Sequence, residues 1–378
     1  MSIKVCHMSS AHVNTDRRIF VTECAALAEA GYEVYLVACG KSREDKGVHV
    51  IGMTNRSLRR IERITQFTKA VYEKALELDC DVYHFHDPEL LPYGMKLRRK
   101  GKKVIFDSHE LYTAQIPEKP YLPKWILSIL AKCYEIYENY VLKNIDGVIY
   151  PCLMQGVNPF QGKCKNVALV NNTPLLSEMF DKYNPDIKKY DRSVCYVGTL
   201  SYGRGITHLI KAVYKAGAVL YLGGKFSQDS YREEIENMPE YKCVRYQGIL
   251  NRNAVVELLS HCMVGAASGL YLGQYGKCDN LATKAYEYMS LAIPLIVLKS
   301  DYVENLLREY PFGIMTDFSD IDATANVISY LINNPKDAEK MGQAGRRAVY
   351  ERFNWDRDKE NLLELYEKIL CGTEFKKV

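Results

Sequence analysis

Short apolar runs alternate with longer amphipathic stretches along the whole chain, and that rhythm restricts it to folds built on parallel sheets. The opening is the clearest case. Ile3–Met8 and Tyr32–Ala38 read as strands, and between them Arg18–Ala30 carries Ile19, Phe20, Cys24, Leu27 and Ala28 at helical spacing before Gly31 closes the helix. Strand, helix and strand in that order make a βαβ unit, which requires a parallel sheet. Strand-like runs follow at Val48–Ile51, Val82–Phe85, Lys103–Asp107, Gly147–Tyr150 and Val167–Val170. After the polar stretch Asp181–Arg192 the pattern restarts with Val194–Gly198, Val219–Leu222, Cys243–Tyr246, Met263–Ala267, Pro294–Leu298 and Gly313–Thr316. At 378 residues the chain exceeds what one core usually serves. The expected class is α/β, with two Rossmann-like, doubly wound parallel-sheet domains facing a central cleft. They are placed at 1–180 and 181–354, with the last helix, 355–378, packing back on the first.

Bulk properties exclude several classes. A net charge of +4 is too small to argue for nucleic acid, and no run approaches the 18 apolar residues of a membrane span. The N-terminus has no signal-peptide pattern, and the twelve cysteines are scattered singly, as in a reducing compartment, so a cytoplasmic location is expected. Two basic clusters stand out, Arg56, Arg59, Arg60 and Arg63, then Lys96, Arg98, Arg99, Lys100, Lys102 and Lys103. In Tyr121–Leu142, Trp125, Ile126, Leu127, Ile129 and Leu130 sit beside Lys124 and Lys132. Such a stripe suits either a domain core or peripheral contact with the inner membrane face.

Ligands of open parallel sheets bind beyond the carboxyl ends of the strands, and four loops there carry unusual polar sets. Ser9–Arg18 brings Thr15 and Arg17 to the start of a helix, where a phosphate or an acceptor hydroxyl can be held, with Asp16 placed to cap. His84, His86 and Asp87 end one strand, and Asp107, His109 and Glu110 end another; a histidine beside acids there can position a hydroxyl or accept its proton. His84 and His86 form an HxH pair without Cys or HxxxH support, so no metal and no cofactor are expected. Gly198–Gly205 is a glycine-rich turn whose amides, with Arg204, suit a phosphate, although it lacks the Lys-Ser/Thr of a P-loop. In Asp279–Met289, Asn280, Lys284 and Glu287 stand at i, i+4 and i+7, placing a cation and a carboxylate where a diphosphate and a ribose diol need them. The DxD pairs Asp79/Asp81 and Asp320/Asp322 read as turn and cap chemistry.

Five segments then carry a family resemblance: DVYHFHDPELLP, FDSHE, VGTLSYGRGITHLIKAV, NLATKAYEYMSLAIPLIV and GQAGRRAVYERFNW, in that order. Together they resemble the retaining glycosyltransferases of family 4, of the bacterial surface-polysaccharide type, with the GT-B fold. The resemblance implies transfer of a sugar from a UDP- or GDP-sugar to a saccharide or a polyprenyl-diphosphate-linked acceptor, without metal. It implies His109 and Glu110 at the reacting sugar, Gly198, Arg204, Lys284 and Asn280 on the diphosphate, and Glu287 and Asp279 on ribose and sugar. Gly248 and Ile249 would lie near the base, and Thr15, Arg17 and His86 toward the acceptor. Alternatives are a UDP-sugar epimerase of GT-B type and a catalytically silent GT-B partner subunit.

Overall fold

The computed structural model describes residues 2–54, 59–118, 123–271 and 277–371. Arg56 of the first basic cluster, Tyr121 of the apolar stripe, five residues of the 269–279 loop and residues 372–378 lie outside them. The chain divides into two compact units: Met1–Asn172 with Asp356–Val378, and Thr173–Trp355.

In the first unit the strands are β1 (Lys4–Val13), β2 (Glu33–Cys39), β3 (Arg43–Asp45), β4 (Val48–Met53), β5 (Val82–Phe85), β6 (Lys103–Asp107), β7 (Gly147–Tyr150) and β8 (Val167–Leu169). They form one sheet in the order β3-β4-β2-β1-β5-β6-β7-β8, parallel but for β3 against β4. The central strands are covered on both faces, so Val82–Phe85 is buried at every position, as parallel sheets require. β1 runs five residues past the expected run, because after a register shift Val13 still pairs with Cys39 of β2. The helix that follows begins in π-type turns over Arg17–Cys24 and continues as α-helix over Ala25–Glu29. Asp16 caps it by accepting the Ile19 N–H at 3.0 Å.

The last helix, Trp355–Cys371, lays Leu362, Leu365, Tyr366 and Ile369 into buried positions. Asn361 Nδ2 donates to the Leu169 carbonyl at 2.9 Å, and Tyr366 Oη meets His84 Nδ1 at 3.0 Å.

The second unit holds β9 (Ser193–Val197), β10 (Val219–Gly223), β11 (Val244–Tyr246), β12 (Val264–Ala267), β13 (Leu295–Leu298) and β14 (Gly313–Thr316). Their order is β11-β10-β9-β12-β13-β14, all parallel. Alternation along β9 serves two cores at once: Val194 and Tyr196 pack with Leu209, Ile210 and Val213, whereas Cys195 packs with Leu259 and Tyr288. In each sheet the order turns at one strand, β1 in the first and β9 in the second. That reversal marks where each sheet can bind a ligand.

Candidate active site

At the reversal of the first sheet, between β1 and β5, the strand ends are polar and buried. Asp87, just past β5, accepts Ser9 Oγ at 2.8 Å and the N–H groups of Ser10 and Ala11 at 2.6 and 3.1 Å, fastening the end of β1 to the end of β5. On its rim His12 approaches Asp87 at 3.6 Å and Asp16 at 3.4 Å. Burial works against the His12 cation, but Asp16 and Asp87 outweigh it and raise its proton affinity; Asp16 is held down at about 2.

Deeper lies an ion pair. Arg18 donates from Nε and Nη2 to the two oxygens of Asp107, both at 2.8 Å, and from Nη1 to the Val170 carbonyl at 2.9 Å. Burial alone would raise the Asp107 carboxyl, but Arg18 first, and then His109, hold it well below the ordinary range. Asp107 Oδ2, His86 Nδ1 and His109 Nε2 close a triangle with sides of 3.0–3.2 Å. His86 Nε2 meets His7 Nδ1 at 2.9 Å, and His7 Nε2 stands 3.5 Å from Tyr366 Oη. Burial pushes His86 down to about 4 and His7 and His84 well below their ordinary value, so these rings are neutral at pH 7. Among the linked rings of His7, His84, His86 and His109, His109 is the outermost, 12% exposed. Asp107, itself fixed by Arg18, orients it. Such a ring can hold or accept the proton of a hydroxyl.

The expected residues fall as follows. His109 is on the rim of the cluster, and Glu110 beside it is half-buried, accepting from Gln115 Nε2. His86 is corrected from an acceptor-facing residue to one with no exposed surface, bonded behind His109. Thr15 is exposed and Arg17 half-buried at the helix start, while the arginine that enters the cluster is Arg18. Sequence reasoning took Arg18 with Arg17 as a phosphate or acceptor contact, not as the partner of Asp107, and passed over Glu23 and His7. The available signal was a carboxylate and an imidazole standing among otherwise apolar helix and strand positions.

The second unit assembles a separate set where β9 and β12 part. Gly198 ends β9 at φ +146°, and a Cβ there would stand 3.1 Å from Lys284 Nζ. Gly224 follows β10 at φ +133°, where a Cβ would lie 1.8 Å from the Gly198 carbonyl oxygen, so the two strand ends come together only as glycines. The Arg204 carbonyl accepts Ser268 Oγ at 2.8 Å, tying the glycine turn to the end of β12.

The Lys284 ammonium lies 3.7 Å from the centroid of the Tyr196 ring. Burial, and after it the Arg204 charge, push its proton affinity well down. A buried cation disfavoured by a second cation is poised for an anion. Glu287 pairs with Arg252, not with Lys284, and Arg252 Nη2 reaches Glu178 at 3.1 Å. Arg252 and Glu178 were not foreseen.

One expectation needs correction. The helix spans Thr283–Ser290, so Lys284 and Glu287 share it but Asn280 precedes it. Asn280 Oδ1 instead accepts Tyr286 Oη at 2.6 Å. Asp279 lies just before Asn280, half-buried. Gly248, at φ +68°, accepts the Gly224 N–H at 2.7 Å, and Ile249 beside it is 75% exposed. Asp320 caps a helix by accepting the Ala323 N–H at 2.9 Å, and Asp79 pairs with Lys102, so the DxD pairs serve turns and caps.

Two families match this chain in tandem, Glycosyltransferase Family 4 over residues 18–154 and Glycosyl transferases group 1 over residues 179–348. The chain carries a Glycosyltransferase Family 4 domain followed by a Glycosyl transferases group 1 domain. Solved structures similar to this chain include sucrose-phosphate synthase from Thermosynechococcus elongatus, at 18% identity and TM-score 0.77 over 98% of this chain and 100% of that one. Another is Anabaena Alr3699/HepE in complex with UDP and glucose, at 14% identity and TM-score 0.71 over 97% and 99%. These likenesses show the GT-B fold. Among curated proteins, spore coat protein SA of Bacillus subtilis (strain 168) is 33% identical over 91 residues, which is 24% of each chain. The chain thus spans about a quarter of that relative.

Proposed function

We propose that the protein transfers a sugar, with retained anomeric configuration, from a UDP- or GDP-sugar to a hydroxyl of a saccharide or lipid-diphosphate-linked saccharide. The observation that carries this reading is the pairing of Lys284 and Arg204 around the open Gly198 backbone, with Glu287 one helical turn along. Two cations at a glycine turn stabilise the departing nucleoside diphosphate, the role a metal plays elsewhere. Glu287, braced by Arg252, offers a carboxylate to the ribose diol. In the first unit His109, oriented by Asp107, serves the acceptor side, with Glu110 beside it. Alr3699/HepE, with the same fold, holds UDP and glucose, which supports the donor class. The test is incubation of UDP- and GDP-sugars and a panel of saccharide and lipid-diphosphate-linked acceptors with enzyme in EDTA, reading released nucleoside diphosphate, and NMR of the product's anomeric proton. Release in EDTA with retained configuration is expected; release that needs a divalent ion, or inverted product, contradicts the reading.

The acceptor side bears on location. No helix of the described residues is long and apolar enough to cross a membrane. Helix Lys124–Asn144, however, leaves Trp125, Ile129, Leu130, Ile136 and Tyr140 exposed, Trp125 by 67%. Arg98 donates to the Asn144 carbonyl at 3.2 Å, so the second basic cluster adjoins the helix end. Leu127, Val141 and Leu142 supply the buried face, which leaves the exposed stripe outside the core. Apolar side chains rimmed by lysine and arginine suit an anionic bilayer surface and peripheral attachment on the cytoplasmic side. Co-sedimentation with phosphatidylglycerol vesicles, lost in Trp125→Ser/Ile129→Ser and absent with phosphatidylcholine, is the expected result. Equal partition of parent and variant would sink this part of the reading.

A further inference from the structure

Behind His109 the first unit holds a group of side chains that sugar transfer does not require. His7, Glu23, His84 and His86 are each 0% exposed, and one ligand atom from each lies within 4.8 Å of all the others. They come from β1, the following helix, β5 and its end, which is why no local spacing betrays them.

The hydrogen bonding of this group is incomplete. Arg18 commits Nε and Nη2 to Asp107 and Nη1 to Val170, so its single positive charge is matched by Asp107. Glu23 lies beside Asp107 and receives a side approach from the already committed Nε, at 3.2 Å. Among the described residues neither Glu23 oxygen accepts a hydrogen bond, and His84 Nε2, 3.9 Å from Glu23 Oε2, makes none either. Both Glu23 oxygens and a ring nitrogen of His84 are thus buried side by side without a hydrogen-bond partner, which is unfavourable for polar atoms shut away from water. A divalent cation among these atoms engages both orphaned groups.

The outer contacts are those of metal-bound imidazoles. His84 Nδ1 is held by Tyr366 Oη at 3.0 Å, and His86 Nδ1 by Asp107 Oδ2 at 3.2 Å. Ring nitrogens fixed by a hydroxyl or a carboxylate direct the opposite nitrogen to a metal. His86 Nε2 and His7 Nδ1 already face each other at 2.9 Å, near the roughly 3.3 Å edge of a tetrahedron with metal–nitrogen bonds of about 2.0 Å. We propose that His7, Glu23, His84 and His86 bind one first-row divalent cation of the zinc type in the core of the first unit. The ion is structural. It braces β1, β5 and the Arg17–Cys24 helix behind Asp107 and His109, and takes no part in holding the donor. This departs from the expectation that the chain holds no metal; the HxH pair finds its partners far away in sequence. His86, Asp107 and His109 form a second close group, but Asp107 is spent on Arg18.

The test uses the whole chain purified without a histidine tag. Elemental analysis after dialysis is expected to give one zinc-type ion per chain. Stripping with a strong chelator should lower the melting temperature, and Co²⁺ should restore it with the visible bands of a tetrahedral nitrogen–oxygen site. Those bands should vanish in Glu23→Gln and in His84→Gln, yet persist in Cys133→Ser/Cys371→Ser. The parent protein decides the matter even where a variant fails to fold. Substoichiometric metal both as isolated and after loading with Zn²⁺ or Co²⁺ overturns the proposal. Thiolate-to-cobalt bands, or bands that survive both substitutions, overturn it equally.

Discussion

Lys284→Met is expected to lower kcat with the nucleotide-sugar donor by about a hundredfold to a thousandfold, while leaving the unliganded protein as stable as its parent or more so. The two effects share one cause. Burial and the neighbouring Arg204 charge push the Lys284 amine well below its ordinary proton affinity. A lysine depressed in the folded state penalises that state at low pH. The penalty shrinks as pH rises from the folded value toward the unfolded value of about 10.4. A diphosphate turns the same charge to advantage, and Met, of similar length, takes over the packing against Tyr196. Steady-state kinetics and urea midpoints from pH 6 to 10 check both halves. Loss of stability with unchanged kcat would show that Lys284 is a packing residue and that the anion site lies elsewhere.

Arg18→Met is the second large effect, and it falls on the fold. Removing the guanidinium strands the Asp107 carboxylate in a buried site, at a cost of about 3–5 kcal/mol. At roughly 2–4 °C per kcal/mol, the melting temperature of the first unit should drop by about 10 °C. Its pH dependence follows from the sign of each shift. Asp107 is depressed in the folded state, so its contribution is present above its unfolded value of about 3.9 and is lost as pH falls through the folded one. Glu23 is raised by burial and then by Asp107, so its share acts in the opposite sense. Below about pH 4 the variant should therefore show a flatter acid limb than the parent, read in thermal melts from pH 2 to 5. A melting temperature within a degree of the parent's would mean that Arg18 is not the charge that holds this cluster.

The parts of this arrangement differ in how visible they are in the chain. The parallel strands are legible because burial on both faces writes them as apolar runs, Val82–Phe85 and Leu295–Leu298 among them. Strand β3, Arg43–Asp45, is not legible: it is short, polar and held only by pairing with β4. Ser9–Val13 reads as a loop because its residues are small and polar, and it is Asp87, more than 70 residues away, that satisfies Ser9, Ser10 and Ala11. Lys284 and Glu287 are visible through helical spacing. Arg252, which braces Glu287, lies 35 residues off and carries no local mark. Asn280 was misplaced because spacing alone does not show that Ala282 is extended and that the helix starts after it. His86 was recognised as chemistry-bearing but set on the wrong layer, since residue type does not report depth.

The most direct test of the central claim is a thermal-shift comparison of parent and Glu287→Ala with UDP, GDP, ADP, dTDP and CMP, all in EDTA. A nucleotide at a hundredfold over its Kd adds about 2.7 kcal/mol, a shift of several degrees at about 2–4 °C per kcal/mol. One nucleoside diphosphate, UDP or GDP, is predicted to raise the melting temperature of the parent without metal and to lose that effect in Glu287→Ala. No shift from any nucleotide, or a shift that Glu287→Ala leaves intact, would contradict a donor site built on Gly198, Arg204, Lys284 and Glu287.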